Sequence, residues 1–180
     1  MRSIKLQGQS MIGCIDVAEP EPGPGEVIVE TRVSAVCGSE LKAYKGVGKE
    51  RGNTGHEAAG VITRLGPGVS ALKEGQRVGV SAVFGCGQCL YCDKGQNTWC
   101  PDRGSYSDMH AERFVTSVRA CHPLPDELSW EVGTLISGDG FGVPYHTSTK
   151  LKNEPLEYIA IFGMGPIGLG NKSWICQSTL

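Results

Sequence analysis

The densest group of potential metal ligands in this chain is a set of four cysteines within fifteen residues. They are spaced C-x2-C-x2-C-x7-C and are Cys86, Cys89, Cys92 and Cys100. Four thiolates at about 2.3 Å from one Zn²⁺ form a closed tetrahedron, so such a site stabilises a loop and performs no reaction. The spacing therefore predicts a structural zinc lobe over about residues 85–101.

Two disulfides or an iron–sulfur cluster are the alternative uses of these four thiols. Disulfides are typical of secreted proteins, and residues 1–9 contain no apolar run of the kind that a signal peptide requires. The array also lacks the common bacterial iron–sulfur spacing, although an iron site stays open. We expect zinc in a cytoplasmic protein whose thiols are reduced.

The amino-acid composition bears on whether the chain binds nucleic acid or a membrane. The chain has 180 residues, of which 39% are hydrophobic, and its 17 basic and 19 acidic residues give a formal net charge of −2. A zinc ribbon that binds nucleic acid needs an excess of lysine and arginine to neutralise phosphates. No segment reaches membrane-spanning length. The sequence therefore predicts neither a nucleic-acid partner nor a membrane partner.

Short apolar runs separated by glycine and proline favour β-structure. The alternation predicts strands over residues 26–33, 60–65 and 76–80. A short helix is predicted over residues 129–136, with Ser129 as its N-terminal cap and with Leu135 and Ile136 on its apolar face. The first 125 or so residues are therefore expected to form one irregular β-domain that carries the zinc lobe.

A second pair of potential ligands lies outside the cysteine lobe. Cys37 follows the first predicted strand and His56 precedes the next, so a thiolate and an imidazole could meet at two strand ends. On spacing alone, two interior residues without a metal are the commoner explanation.

The order of motifs along the chain resembles that of the zinc-dependent medium-chain alcohol dehydrogenase family. The resemblance covers residues 22–170 and rests on five motifs: Gly23-Pro24-Gly25-Glu26-Val27, Cys37-Gly38-Ser39-Glu40, Gly55-His56-Glu57-Ala58-Ala59-Gly60, the four-cysteine lobe and Gly163-Met164-Gly165-Pro166-Ile167-Gly168. It implies a mainly β fold, with an irregular GroES-like β-barrel over residues 1–150. The first β-turn-α of a Rossmann nucleotide-binding domain is then expected over residues 155–180.

The resemblance also implies a catalytic zinc held by Cys37, His56 and Asp139. One thiolate, one imidazole and one carboxylate leave zinc an open fourth position, where it polarises an alcohol oxygen. Glu57 matches a residue that can enter the metal shell during turnover, and Ser39 matches the hydroxyl that passes the alcohol proton toward solvent. The alternative for Ser39 is a turn hydroxyl bonded to its own backbone.

Two positions depart from the commonest family pattern. Many relatives have a histidine five residues after the cysteine ligand, where this chain has Lys42. Lysine is a poor proton acceptor near neutral pH, so the proton relay beyond Ser39 is in question. An oxygen ligand at Asp139 resembles the polyol, sugar and threonine dehydrogenase branch, which implies a small alcohol or polyol substrate.

The motif G-x-G-x-x-G at Gly163, Gly165 and Gly168 implies binding of NAD or NADP. Residues 157–162 are predicted to be a buried strand, and the turn after it would open a helix onto the pyrophosphate. Only twelve residues follow Gly168, and no Asp or Glu follows Glu157. A ribose-binding acid is expected about twenty residues further on. We therefore expect a C-terminally truncated dehydrogenase with little or no activity alone.

The alternative function is a zinc-binding module or interaction fragment without catalytic activity. Such a module would associate with a second copy or with a full-length relative through its exposed strand edges. Binding of the nicotinamide cofactor separates the two hypotheses, because only the enzyme must hold nicotinamide beside the metal.

Overall fold

The computed structural model describes residues 1–151 and 157–178 of the chain. Its strands are β1 (Arg2–Gly8), β2 (Met11–Asp16), β3 (Glu26–Ala35), β4 (Glu57–Leu65), β5 (Arg77–Val80), β6 (Val83–Phe84), β7 (Gly104–Ser105), β8 (Arg113–Ser117) and β9 (Cys121–Pro123). Its α-helices are α1 (Leu41–Lys45), α2 (Leu90–Asp93), α3 (Trp130–Ser137), α4 (Asp139–Leu151) and α5 (Pro166–Ser178). The predicted mainly β character is confirmed.

The central element is a five-stranded sheet in the order β8-β3-β4-β5-β9, in which all neighbours are antiparallel. Its three middle strands are those that the alternation of apolar residues predicted. One face supplies the core, because successive side chains of a strand point to opposite faces. The core cluster comprises Val27, Val29, Ala58, Ile62, Val78, Val80, Met109, Phe114, Ala120 and Cys121.

Two smaller sheets accompany the central one. Strands β1 and β2 form a hairpin, and β6 pairs with β7 beside the cysteine lobe. The hairpin joins the main body through the backbone N–H of Ile4, which donates to the carbonyl of His110 at 2.9 Å. Within the described residues the strands form three separate sheets, and no closed barrel is found.

Helix α3 begins where the sequence predicts, with the Ser129 hydroxyl accepting the backbone N–H of Val132 at 3.3 Å. The apolar face with Leu135 and Ile136 is not the face that the helix buries. Leu135 and Ile136 are 37% and 45% exposed, and α3 buries Gly133 and Thr134 instead. Small side chains let the helix lie close to the sheet, since a Cβ placed on Gly79 of β5 would meet the Ser137 hydroxyl at 1.9 Å.

The C-terminal region contains the predicted turn and helix without the predicted strand. No strand is assigned in residues 157–162, and Phe162 is 97% exposed. A strand needs a hydrogen-bonded neighbour, and no described strand lies beside this segment. Helix α5 packs on α4, with the rings of Tyr145 and Trp174 edge to face at 5.6 Å between centroids.

The predicted division between residues 150 and 155 falls mainly outside the described residues. None of the helices in the described part of the chain is both long enough and apolar enough to cross a membrane.

Candidate metal centres

The candidate open centre lies at one edge of the central sheet, where β3 ends and β4 begins. Ala35 and Glu57 are paired in the antiparallel register of these strands. Cys37 therefore lies two residues beyond one strand end, and His56 lies directly before the neighbouring strand. The pairing brings together two residues that are separated by nineteen positions in the sequence.

A third segment reaches this edge from the helical side. Thr134 of α3 is fully buried, and its hydroxyl lies 3.4 Å from the carbonyl of Val33 on β3. Gly138 follows α3 and approaches Glu57 so closely that a Cβ there would lie 2.9 Å from the Glu57 Cγ. Asp139, the first residue of α4, is thereby placed beside Glu57 and His56.

Four potential ligand atoms converge at this point. One from each of Cys37, His56, Glu57 and Asp139 lies within 4.8 Å of the others. The His56 Nε2 is 3.9 Å from a Glu57 carboxylate oxygen and 4.0 Å from one of Asp139. The Asp139 side chain is 60% exposed and that of Glu57 is 7% exposed, so the group opens to solvent on the Asp139 side.

The orientation of the His56 ring leaves one nitrogen free to bind a metal. Its Nδ1 lies 2.7 Å from the carbonyl of Thr54, which can only accept a hydrogen bond. Nδ1 therefore carries the hydrogen, and the Nε2 lone pair faces the two carboxylates. Metal-binding histidines are commonly held in this way by a carbonyl or carboxylate at the other nitrogen.

In the metal-free protein, the surroundings of the cluster shift the pKa values of His56 and Glu57. Burial lowers the pKa of His56, but the Thr54 carbonyl and the Cys37 sulfur together outweigh it and leave the pKa raised. Burial, followed by repulsion from Asp139, raises the pKa of Glu57. Crowding of negative groups around an imidazole is the arrangement that a divalent cation relieves.

The donor set fits zinc. Thiolate, imidazole and carboxylate are its usual protein ligands, and bond lengths of about 2.0 to 2.3 Å imply separations between ligand atoms of roughly 3.3 to 3.8 Å. For a nitrogen and an oxygen ligand the separation is near the lower end of this range, so the 4.0 Å between His56 and Asp139 must shorten by roughly 0.5 to 0.7 Å when zinc binds.

Ser39 and Lys42 lie in the turn and the helix that follow Cys37 in the chain. Ser39 lies in a 3-10 turn over Gly38–Glu40 and is exposed. Lys42 is exposed on α1. Among the described residues, no hydrogen bond joins the Ser39 hydroxyl to the backbone of its own turn.

The four cysteines of the lobe also converge on one point. Their sulfur atoms lie within 4.8 Å of one another, with 3.6 Å between Cys89 and Cys92 and 4.0 Å between Cys86 and Cys92. A tetrahedron with zinc–sulfur bonds of 2.3 Å has edges of about 3.8 Å, so the cage fits zinc. All four are free thiols, which argues against the disulfide alternative.

The backbone of the lobe supports negative charge on sulfur. The N–H of Cys86 donates to the Cys100 sulfur and that of Gly87 to the Cys92 sulfur, both at 3.3 Å. The N–H of Cys92 lowers the pKa of Cys89 to about 7, with help from the neighbouring thiols. A Cβ on Gly85 would lie 2.3 Å from the Cys92 sulfur, so only glycine lets the chain turn this tightly around the cage.

The glycine turn of the C-terminal region leads directly into a helix. Gly163 has a φ of 93°, which favours glycine, and α5 starts at Pro166. A Cβ on Gly168 would lie 2.0 Å from the Gly163 carbonyl, so the turn closes tightly on the first turn of α5. The backbone N–H groups at the start of a helix form a favourable site for phosphate.

The sequence motifs gave no role to three residues that surround the open centre. Glu40 is buried and accepts hydrogen bonds from the backbone N–H of Cys37 and from the Thr54 hydroxyl. His110 also contacts Glu40, from seventy residues away in the sequence. Glu40 lies in a motif quoted above, but no local pattern marks Thr54 or His110.

Comparison with known proteins identifies the family. The family profile described as the alcohol dehydrogenase GroES-like domain matches residues 23–126, which is more than half of the chain. The chain belongs to the zinc-dependent medium-chain alcohol dehydrogenase family. The matched region contains Cys37, His56, Glu57 and the four cysteines of the lobe.

Individual relatives agree with this assignment. Sorbitol dehydrogenase of Bacillus subtilis is 33% identical over 161 residues, which cover 83% of this chain and 45% of the relative. An alcohol dehydrogenase of Geobacillus stearothermophilus is 34% identical, and the match covers 85% of this chain and 48% of that relative. A short chain alcohol dehydrogenase from Escherichia coli CFT073, solved with NADH, is 27% identical and superposes with a TM-score of 0.80. That match covers 94% of this chain and 51% of the solved chain. The chain therefore spans about half the length of the relatives it matches.

Proposed function

We propose that this chain forms the zinc-binding catalytic part of an NAD(P)-dependent alcohol or polyol dehydrogenase. The observation that carries the proposal is the convergence of Cys37, His56, Glu57 and Asp139 at one open edge of the sheet. Family membership supports the same activity, and two relatives are sorbitol and alcohol dehydrogenases by name. We further propose a catalytic domain over residues 1–150 and the start of a nucleotide-binding domain over residues 155–180.

In this proposal Cys37, His56 and Asp139 hold a catalytic zinc ion, and the four-cysteine lobe holds a structural one. When bound at the open centre, zinc supplies Lewis-acid polarisation of the substrate oxygen. The protein contributes the orientation of the ligands: Thr54 fixes the tautomer of His56, and the α3–α4 junction brings Asp139 to the sheet edge.

Ser39 is proposed to receive the proton of the substrate hydroxyl. Its side chain is exposed in the turn that directly follows the proposed ligand Cys37. A hydroxyl can accept one proton while it donates another, which suits it to pass a proton to solvent. Lys42 is exposed and is assigned no part in that transfer.

Glu57 is proposed to exchange with another ligand during turnover. It is buried beside His56, and its pKa is raised by burial and by Asp139. A carboxylate in this position would offer zinc a further oxygen ligand beside His56.

Gly163, Gly165 and Gly168 are proposed to bind the pyrophosphate of NAD or NADP. The turn that they form opens α5, whose first backbone N–H groups are free to donate to an anion. An oxygen ligand at Asp139, together with the relationship to a sorbitol dehydrogenase, favours a polyol over a simple alcohol.

The test is oxidation of polyols and secondary alcohols by this chain joined to a complete nucleotide-binding domain, with NAD⁺ or NADP⁺ and with the reduced nicotinamide followed by absorbance. We expect activity that Cys37→Ser abolishes and that Ser39→Ala lowers by about 10²- to 10⁴-fold, the usual contribution of a proton-transfer group. Cys14→Ser is the matched control, because Cys14 is exposed and lies outside both metal clusters. Full activity in Cys37→Ser would contradict the proposal.

A further inference from the structure

His110 is a largely enclosed histidine next to the open centre, on the segment that leads into β8. Its side chain is 10% exposed, and both of its ring nitrogens have partners. Nδ1 lies 2.9 Å from the Ser34 hydroxyl on β3, and Nε2 lies 3.0 Å from a carboxylate oxygen of Glu40. A carboxylate can only accept, so Nε2 carries the hydrogen that is shared with Glu40.

The backbone of His110 also forms several hydrogen bonds. Its N–H and C=O both bond the amide of Asn53, a fully buried side chain, at 3.3 Å. The same C=O accepts the N–H of Ile4 from β1. The ring also lies against Gly55, where a Cβ would be 2.7 Å from its Cδ2. His110 is therefore held in place by the segment that leads to His56.

Glu40 connects His110 to both segments that carry ligands. One carboxylate oxygen accepts the N–H of Cys37 at 3.0 Å, and the other accepts the Thr54 hydroxyl at 3.2 Å. The Thr54 carbonyl in turn accepts from His56. A single buried carboxylate thus links the loop of Cys37 with the loop of His56, and His110 supplies its third hydrogen bond.

We propose that His110 is a positioning residue for the open metal centre and acts through Glu40. This inference rests on the proposed function, since it assumes that Cys37 and His56 bind a metal. A buried carboxylate that loses one donor must find another or move, and movement of Glu40 shifts Cys37 relative to His56. Partners one layer behind the ligands typically contribute 10- to 100-fold to metal affinity.

The test is a titration of the open centre with Co²⁺ alone. A chelator first empties the open centre while zinc stays in the closed lobe, and visible absorption then follows cobalt bound next to the Cys37 thiolate. Zinc retained in the lobe is counted in every sample as an internal control. A purely structural role for His110 would lower stability and affect both sites.

Three variants separate positioning from general stability. His110→Leu removes both ring hydrogen bonds at similar volume, whereas His110→Gln keeps an amide donor near the position of Nε2. Phe114→Leu is the matched control, because Phe114 is buried in the core cluster and has no contact with Glu40 in the network described above. If His110→Leu does not fold, Glu40→Gln serves instead, because a glutamine has one acceptor oxygen where Glu40 uses two, so either the Cys37 N–H or the pair of Thr54 and His110 loses its acceptor.

We expect His110→Leu or Glu40→Gln to weaken cobalt binding at the open centre by 10- to 100-fold and to leave the lobe zinc unchanged. His110→Gln should recover most of the affinity, and Phe114→Leu should retain it. Unchanged cobalt affinity in His110→Leu, or parallel loss of both metals, would overturn the inference. If the wild-type chain takes up no cobalt, the proposed metal centre itself fails and the inference fails with it.

Discussion

Individual thiols in this chain have distinct chemistry because the backbone around them differs. Cys89 accepts the N–H of Cys92, which lowers its pKa to about 7, whereas burial raises the pKa of Cys121 to about 12. The first environment stabilises a thiolate that can bind a metal, and the second keeps a neutral thiol in the core.

The lowered pKa of Cys89 predicts a pH-dependent reaction of the metal-free lobe. An unperturbed thiol has a pKa of about 8.5, so folding favours the thiolate, and this contribution to stability is present above that pH. It is lost as the pH falls through about 7. Alkylation of metal-free protein, followed by mass spectrometry of peptides, should show a midpoint near pH 7 at Cys89. A midpoint near the unperturbed thiol value of about 8.5 would contradict the assignment.

The four-cysteine cage predicts the effect of a single substitution on metal content. Cys92→Ser removes a sulfur that lies near both Cys86 and Cys89, so the lobe should lose its zinc, whose binding contributes about 10 kcal/mol or more in small zinc peptides. Metal analysis should show one zinc fewer per chain. Cys14→Ser, outside the cage, should retain it, and unchanged zinc in Cys92→Ser would refute the cage.

At the scale of elements, the open centre depends on how closely α3 lies on the sheet. Gly79 of β5 faces Ser137 and the backbone carbonyl of Gly133, both on α3. The helix ends where the Asp139 segment begins, so its distance from β5 sets the position of the proposed ligand Asp139.

Gly79→Ala should therefore destabilise the fold. Its Cβ would lie 1.9 Å from the Ser137 hydroxyl and 2.8 Å from a backbone oxygen, an overlap of the kind that costs about 1 to 3 kcal/mol. Gly142→Ala in α4 is the control, since nothing lies within 4 Å of that Cβ and alanine favours helices by about 0.5 to 1 kcal/mol. Denaturant unfolding measures both changes, and equal stability of the two variants would contradict this packing.

The sequence predicted the strands of the central sheet whose neighbouring strands show the same alternation of apolar residues. Strands β3, β4 and β5 were recognised from alternation, and their register then explains why Cys37 and His56 meet. The prediction of a strand over residues 157–162 was wrong. Apolar content indicates that a segment can be buried, but a strand also needs a neighbouring strand to which its backbone can form hydrogen bonds. His110 and Glu40 were missed because their contact depends on tertiary folding across seventy residues.

At the scale of the whole molecule, the described residues contain all the proposed metal ligands but only part of the proposed nucleotide site. Both ligand clusters are assembled within residues 37–139. The glycine turn is proposed to bind only the pyrophosphate, and within residues 1–180 no acidic residue that could bind a ribose follows Glu157.

A polypeptide limited to residues 1–180 should therefore bind two metal ions and no nicotinamide nucleotide. Calorimetry with NAD⁺ or NADP⁺ should show no saturable binding at millimolar nucleotide, and polyols should not be oxidised, because hydride transfer requires the nicotinamide to be held close to the substrate. The Escherichia coli relative solved with NADH is a suitable positive control. Micromolar binding by residues 1–180 would show that the nucleotide site is complete without further strands.

The most direct test of the account is an anomalous difference map at the zinc absorption edge, measured on crystals of the zinc-loaded protein. We predict two peaks per chain. One should lie among the sulfur atoms of Cys86, Cys89, Cys92 and Cys100, and the other should lie about 2.0 to 2.3 Å from Cys37, His56 and Asp139 with one position left for a small ligand. A single peak in the lobe, or a second peak away from Cys37 and His56, would contradict the proposed catalytic centre.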